Sequence, residues 1–194
     1  MTKSLDFYFD FISPYSFLAY KKLKKINYYS KININFKPIL LGGLHNLGGI
    51  TAPAFNERKM KNMKNDCELI SKKNSIEFKW NSKFPINTLY LMRGYLAVEN
   101  ESKNNFFEKS FDAYWRDNVD ILNEENLQDI LKNCRIDNDK FFKEIQNPKI
   151  KEKLKELTND AFKKDIFGAP TFVVNNKIFW GQDRLDYALD EYNS

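Results

Sequence analysis

The feature that most constrains this chain is an alternating aromatic run that ends at a Ser-Pro step: Leu5-Asp6-Phe7-Tyr8-Phe9-Asp10-Phe11, then Ile12-Ser13-Pro14. Aromatic and aliphatic residues alternating with Asp6 and Asp10 read as a half-buried β-strand from Leu5 to Phe11. Proline suits the first turn of a helix, where its missing N–H is no loss. Behind it Phe17, Leu18, Leu23 and Ile26 recur at near-helical spacing. Ile32 to Leu40 reads as a second strand. Strand, helix and strand make a βαβ unit, whose two strands are expected to run parallel.

β character returns only near the other end. Thr171-Phe172-Val173-Val174 and Lys177-Ile178-Phe179-Trp180 flank Asn175-Asn176, a dipeptide suited to a tight hairpin, and a closing helix is expected from about Asp183. Between the two ends, Gly42-Gly43 to Pro53 looks like a loop, broken by Gly48-Gly49 and Pro53. The chain is then helical for a long way. Ile86, Leu89, Arg93, Leu96 and Ala97 fit a helix beginning near Phe84-Pro85. Leu127, Ile130, Leu131 and Cys134 form one apolar stripe, and Ile150, Leu154, Leu157 and Ala161 another. The latter has a readable start, with Asn147 at the cap and Pro148 at the first position. The order βαβ, helical block, ββα is that of an α/β, thioredoxin-like fold carrying a large α-helical insertion. We expect one compact unit over 1–194, its thioredoxin-like part formed by 1–45 plus 165–194 and its helical insertion by about 54–164.

Composition narrows the function classes. With 194 residues and 42% hydrophobic side chains, the chain can close one good core, and two independent domains are not expected. The net charge of +5 is spread along the sequence, with no Arg-rich run interleaved with aromatics, so a nucleic-acid partner is not expected. A modestly positive surface still suits small anionic substrates. No long uncharged apolar stretch precedes Leu5, which points to the cytoplasm and away from a membrane. Cys67 and Cys134 stand in no CxxC pair and read as small core residues. His45, the single histidine, has no second His or Cys beside it, so no metal site is expected.

Three features converge on one site. Ser13-Pro14-Tyr15-Ser16 occupies the strand-to-helix junction with serines at the CxxC spacing. Such a chain cannot exchange disulfides there. It can hold another molecule's thiol, because a helix N-terminus offers unpaired N–H groups and positive potential, and the Ser13 hydroxyl can donate to a thiolate. Taken alone, Ser13 reads equally as a helix cap. Gly168-Ala169-Pro170-Thr171 lies just before a strand. A cis bond at Pro170 would turn the Ala169 N–H and C=O towards an extended peptide such as glutathione; a trans proline would simply open an edge strand. Trp180-Gly181-Gln182-Asp183-Arg184 closes the last strand. Gln182 and Asp183 could hold the charged ends of a γ-glutamyl group, or Asp183 could again be only a cap.

Phe7 to Ser16, Phe167-Gly168-Ala169-Pro170-Thr171 and Trp180 to Arg184 together resemble the signature segments of the 2-hydroxychromene-2-carboxylate isomerases. These belong with the kappa-class glutathione transferases in a DsbA-like branch of the thioredoxin superfamily, and the resemblance spans essentially the whole chain. It implies glutathione as cofactor, activated by Ser13 and held by Ala169, Pro170, Trp180, Gly181, Gln182, Asp183 and Lys59. It also implies a small aromatic carboxylate as substrate, lying against Asn87 and oriented with help from His45. In the loop after the second strand, where relatives carry a lysine and an asparagine, this chain offers His45 and Ile50. Relatives commonly dimerise, which leaves a homodimer open.

The implied reaction is the reversible conversion of 2-hydroxychromene-2-carboxylate, or a similar aromatic ketoacid, to trans-o-hydroxybenzylidenepyruvate, with glutathione returned unchanged. Two alternatives use the same groove: a kappa-type glutathione transferase, and a non-catalytic thiol- or peptide-binding module. A disulfide oxidoreductase is the weakest rival, because Ser13 and Ser16 stand where its thiols would be.

Overall fold

The computed structural model describes residues 3–194, residues 28–30 by their backbone alone. Its centre is a four-stranded sheet of order β2-β1-β3-β4. Strand β1 (Leu5–Phe9) runs parallel to β2 (Ile34–Pro38), with Leu5 opposite Ile34 and Phe9 opposite Pro38. On its other side β1 meets β3 (Thr171–Val174) antiparallel, Phe7 facing Phe172. The sheet ends in β4 (Lys177–Trp180), paired to β3 across Asn175 and Asn176, both at positive φ (49° and 63°). That is the conformation a two-residue hairpin requires, and asparagine adopts it at low cost. The parallel βαβ opening and the hairpin are both as expected. The strands are shorter than their hydrophobic runs: Asp10 and Phe11 lie beyond β1, and proline, with no N–H to donate, closes β2.

Helix α1 (Pro14–Ser30) connects β1 to β2. After β2 come α2 (Leu41–Leu47), α3 (Glu57–Lys73), α4 (Leu89–Ala97), α5 (Asn100–Trp115), α6 (Glu124–Asn133), α7 (Asn138–Glu144) and α8 (Pro148–Lys163); α9 (Leu185–Asn193) follows β4. The start of α8 is the one expected: Asn147 is the cap and accepts from the Lys149 N–H at 3.0 Å. None of the described helices is long and apolar enough to cross a membrane.

Two expectations need correcting. The stretch after β2 is not a loop from Gly42: α2 runs through Gly42 and Gly43. Glycines disfavour a helix by about 1 kcal/mol each, but tertiary contacts outweigh them here. The Leu41 N–H donates to Asp10 Oδ2 (2.8 Å), the Leu40 N–H to Thr158 Oγ1 (3.0 Å), and Leu44 is fully buried. The second correction concerns α4, which starts at Leu89 rather than near Phe84-Pro85. The Phe84–Pro85 bond is cis, and the Phe84 ring packs on Trp80 (4.9 Å) and Trp115 (5.6 Å). Asn81 holds the carbonyls of Tyr114 (2.9 Å) and Val119 (3.0 Å). The segment before α4 is thus committed to α5 and takes an irregular path. The closing helix is likewise preceded by a short 3-10 turn, Gln182–Arg184, before α9 begins.

Helix α5 packs an aromatic ridge onto the sheet. Phe107 and Phe111 meet Phe9 and Phe11 at centroid distances of 4.7 to 6.2 Å, two pairs edge to face and two tilted. At the end of this ridge the buried Trp115 donates its indole N–H to the Phe11 carbonyl at 2.8 Å. This bond ties the middle of the chain to the turn between β1 and α1. Trp115→Phe keeps an aromatic ring but leaves that carbonyl buried and unpaired. It should lower stability by about 1–3 kcal/mol, seen as an earlier urea midpoint at unchanged slope.

Candidate active site

Ser13 caps α1. Its Oγ accepts from the Ser16 N–H at 3.1 Å and donates to the Ala169 carbonyl at 2.9 Å, joining residues 156 positions apart. The cap reading of Ser13 holds, and the same hydroxyl, 4% exposed, stands beside the Ala169–Pro170 segment. Within the first turn of α1, Pro14 has no N–H, Ser16 is held by Ser13, and the Phe17 N–H bonds the Ser13 carbonyl at 3.2 Å. No acceptor is bonded to the Tyr15 N–H among the described residues. Such an amide, at the positive end of a 17-residue helix, favours an anion. Ser16 is wholly buried, its Oγ without a hydrogen-bond partner among the described residues.

The Ala169–Pro170 bond is cis. Next to it the Pro170 carbonyl accepts from the Gly181 N–H at 2.9 Å, and Thr171 pairs with Trp180 across β3 and β4, so the two end segments are locked to each other. At Gly168 a Cβ would stand 2.5 Å from the Trp180 indole nitrogen, so any larger residue would have to push that ring aside. Gly181 has φ +111°, a conformation that favours glycine, and its own Cβ would stand 2.5 Å from Asp183 Oδ1. The Trp180 ring lies 4.8 Å from that of Phe167, and both stay exposed, 53% and 42%. Gln182 and Asp183 sit in the 3-10 turn, which packs against α1. Asp183 caps nothing through its side chain; it is exposed and ion-paired with Arg184 at 3.1 Å.

Tyr15, in the first turn of α1, reaches α3. Its hydroxyl donates to Asp66 Oδ2 at 2.8 Å, fastening α1 to α3. Burial first, then that bond and the nearby negative charges including Asp183, push the phenol well above its ordinary pKa. Tyr15, Pro53, Arg58, Lys59, Asn62 and Met63 line one open depression of about 410 Å³. Lys59 is thereby brought beside the first turn of α1, with Arg58 as a second exposed cation.

Asn87 and His45 stand apart from this cluster. Asn87 is exposed and lies just before Thr88, the cap residue of α4, where its own Oδ1 accepts from the Leu89 N–H at 3.0 Å. It precedes α4 rather than opening it. His45 lies on α2, half-buried, and burial lowers its pKa, so its ring is neutral at pH 7. Among the described residues no hydrogen bond or ion pair joins the His45 ring to Ser13, Ala169 or Asn87.

Sequence reasoning missed the side chain that links these segments. Asp10, wholly buried at the end of β1, accepts from the Ile12 N–H (3.1 Å) and the Thr88 hydroxyl (2.6 Å) on Oδ1 and from the Leu41 N–H (2.8 Å) on Oδ2. Burial raises its pKa, against the lowering effect of those bonds. The signal was present: an acid inside an aromatic run is rarely buried unless it is bonded. The Tyr15–Asp66 bond had no comparable signal.

A family model described as a DSBA-like thioredoxin domain matches residues 4–193. The chain is 28% identical over 194 residues to a 2-hydroxychromene-2-carboxylate isomerase from Sphingobium xenophagum, covering 99% of this chain and 98% of that one. It is 24% identical to glutathione S-transferase kappa 1 of Homo sapiens, covering 96% and 89%. A solved 2-hydroxychromene-2-carboxylate isomerase superposes with a TM-score of 0.89 at 22% identity, over 97% of this chain and 94% of that one, and so shares the fold. With a model match over nearly its full length, the chain belongs to the DSBA-like thioredoxin domain family.

Proposed function

We propose that this chain is a glutathione-dependent isomerase that converts 2-hydroxychromene-2-carboxylate, or a similar aromatic ketoacid, to trans-o-hydroxybenzylidenepyruvate. The observation that supports it best is the Ser13 hydroxyl, set at the N-terminus of α1 and 2.9 Å from the Ala169 carbonyl, with a serine and not a cysteine at both thiol positions. The names of the curated relatives, isomerases and kappa-class transferases, agree with this reading.

The donor set fits glutathione. An anionic sulfur finds a hydroxyl, an unbonded helix-terminal amide and a helix dipole in one place. When bound, glutathione supplies a thiol that adds to the conjugated double bond, leaves a single bond free to rotate, and departs unchanged. The chain's own part is to lower the pKa of that thiol and to align the two partners. Ser13 turns its proton from the Ala169 carbonyl to the sulfur, which frees that carbonyl for the cysteinyl N–H, as in an added strand. Pro170, Trp180 and Gly181 shape the groove wall, Asp183 takes the γ-glutamyl ammonium and Gln182 its carboxylate, and Lys59 adds a positive charge at the rim. Asn87 and the neutral His45 orient the oxygens of the organic acid. In this reading glutathione lies on the thioredoxin-like part (1–45 plus 165–194) and the aromatic acid against the helical insertion (about 54–164), within one compact unit in the cytoplasm.

Three measurements test it. Ser13→Ala should raise the pKa of the bound thiol, so that thiolate absorbance appears at higher pH, and should cut turnover about 10- to 1,000-fold, as expected on losing one donor to a developing charge. Unchanged turnover would reduce Ser13 to a helix cap. A catalytic trace of glutathione should support many turnovers with the total thiol concentration constant. A transferase would consume one thiol per product, and a binding module would form none. Asn87→Ala should weaken the organic acid about 10-fold, the worth of one hydrogen bond, with glutathione affinity within about twofold of the parent. Loss of glutathione binding in that variant would refute the two-wall division of the cleft.

A further inference from the structure

Asp10 places a carboxyl group in the interior, and among the described residues no ion pair reaches it. An apolar residue would fill the space at the end of β1 at lower cost, because desolvating a carboxylate is expensive unless donors replace its water. Three donors do so, and their origin is informative. Ile12 belongs to the turn that ends in Ser13, Leu41 begins the helix that carries His45, and Thr88 follows Asn87 directly. The end segments that carry Ala169, Gln182 and Asp183 make no hydrogen bond to Asp10. The carboxylate therefore joins the Ser13 turn to the two segments assigned to the organic acid, and leaves out the segments assigned to the γ-glutamyl end of glutathione.

The Thr88 bond is the telling one. Thr88 is the cap residue of α4, yet its hydroxyl makes no capping bond; it is committed to Asp10 at 2.6 Å, while the neighbouring Asn87 Oδ1 accepts from the first helical amide, Leu89 N–H. A cap whose carbonyl starts the helix, accepting from the Met92 N–H at 2.9 Å, while its hydroxyl bonds a buried acid 78 positions away fixes where that helix begins relative to the acid. We propose that Asp10, acting through Thr88, is a positioning residue that sets Asn87 and the start of α4 against the Ser13 turn, so that the organic substrate meets the sulfur at reacting distance. The proposal rests on the isomerase reading above.

Replacing Asp10 leaves three donors unpaired in the core and can unfold the chain, so the test is made at Thr88. Thr88→Val keeps the shape and removes the hydroxyl; Thr88→Ser keeps the hydroxyl. For each protein, KM and kcat for 2-hydroxychromene-2-carboxylate are measured, together with the separate affinities of this acid and of glutathione by calorimetry. Thr88→Val is expected to raise KM and weaken the acid about 10-fold and to lower kcat, since misplacement by about 1 Å can cost up to 100-fold. Glutathione affinity should stay within about twofold of the parent, one bond's worth of change being absent there. Thr88→Ser should recover most of the loss. Two results overturn the proposal: a lowered denaturation midpoint with unchanged kinetics and affinities, which makes the bond purely structural, or parallel weakening of both ligands. Because binding is read apart from turnover, a parent protein that binds both ligands without isomerising overturns the isomerase reading, while the Thr88 comparison still decides the positioning role.

Discussion

Everything in this fold is arranged to cover β1. It lies inside the sheet, parallel to β2 on one side and antiparallel to β3 on the other, so it has no free edge and two faces to bury. Side chains of a strand alternate between faces, and β1 uses the two differently. Leu5, Phe7 and Phe9, all fully buried, turn towards α1 and the aromatic ridge of α5. Tyr8 turns to a smaller cluster with Ile39, Leu44, Ala161 and Ile166, built from α2 and the end of α8. A four-stranded sheet with strands this short cannot supply both covers. Much of that cover comes from the long helical block between β2 and β3.

That arrangement also decides where chemistry can occur. The end of β1 feeds directly into the N-terminus of α1, and the antiparallel neighbour β3 begins at the same end of the sheet, so Ser13 and Ala169 are adjacent despite their separation in sequence. The helical block is fastened to the same turn twice, through the indole of Trp115 on Phe11 and through Thr88 on Asp10. The site is thus held from the sheet on one side and from the insertion on the other.

How much of this could be read from the sequence depends on whether the signal was local. Ser13-Pro14, Asn147-Pro148 and Asn175-Asn176 were legible because caps, first-turn prolines and hairpin asparagines act on backbone within a few residues of themselves. The elements misread were those settled at a distance. Helix α2 forms across two glycines because Asp10 and Thr158 bond its first amides, and α4 starts late because Trp80, Phe84 and Asn81 are engaged with α5 and the turn beyond it. Asp10 itself could be flagged from its place in an aromatic run. Its partners could not, since Leu41 and Thr88 lie 31 and 78 positions away.

The chemistry of the two cysteines completes the argument for a borrowed thiol. At the start of α1 this chain places serine at both positions of the CxxC spacing, and it keeps Cys67 and Cys134 in the core. Burial pushes the Cys134 thiol up to about 11 and Cys67 higher still, where the nearby Asp66 and Glu68 add to the effect. Thiols so raised are almost entirely protonated at neutral pH, and it is the thiolate that attacks carbon or sulfur. The helix terminus, the Ser13 hydroxyl and the unbonded Tyr15 amide nevertheless make a place that favours an anion. If the helix terminus serves a thiolate, as proposed above, the sulfur has to arrive with a ligand, because the chain's own thiols are held neutral in the core.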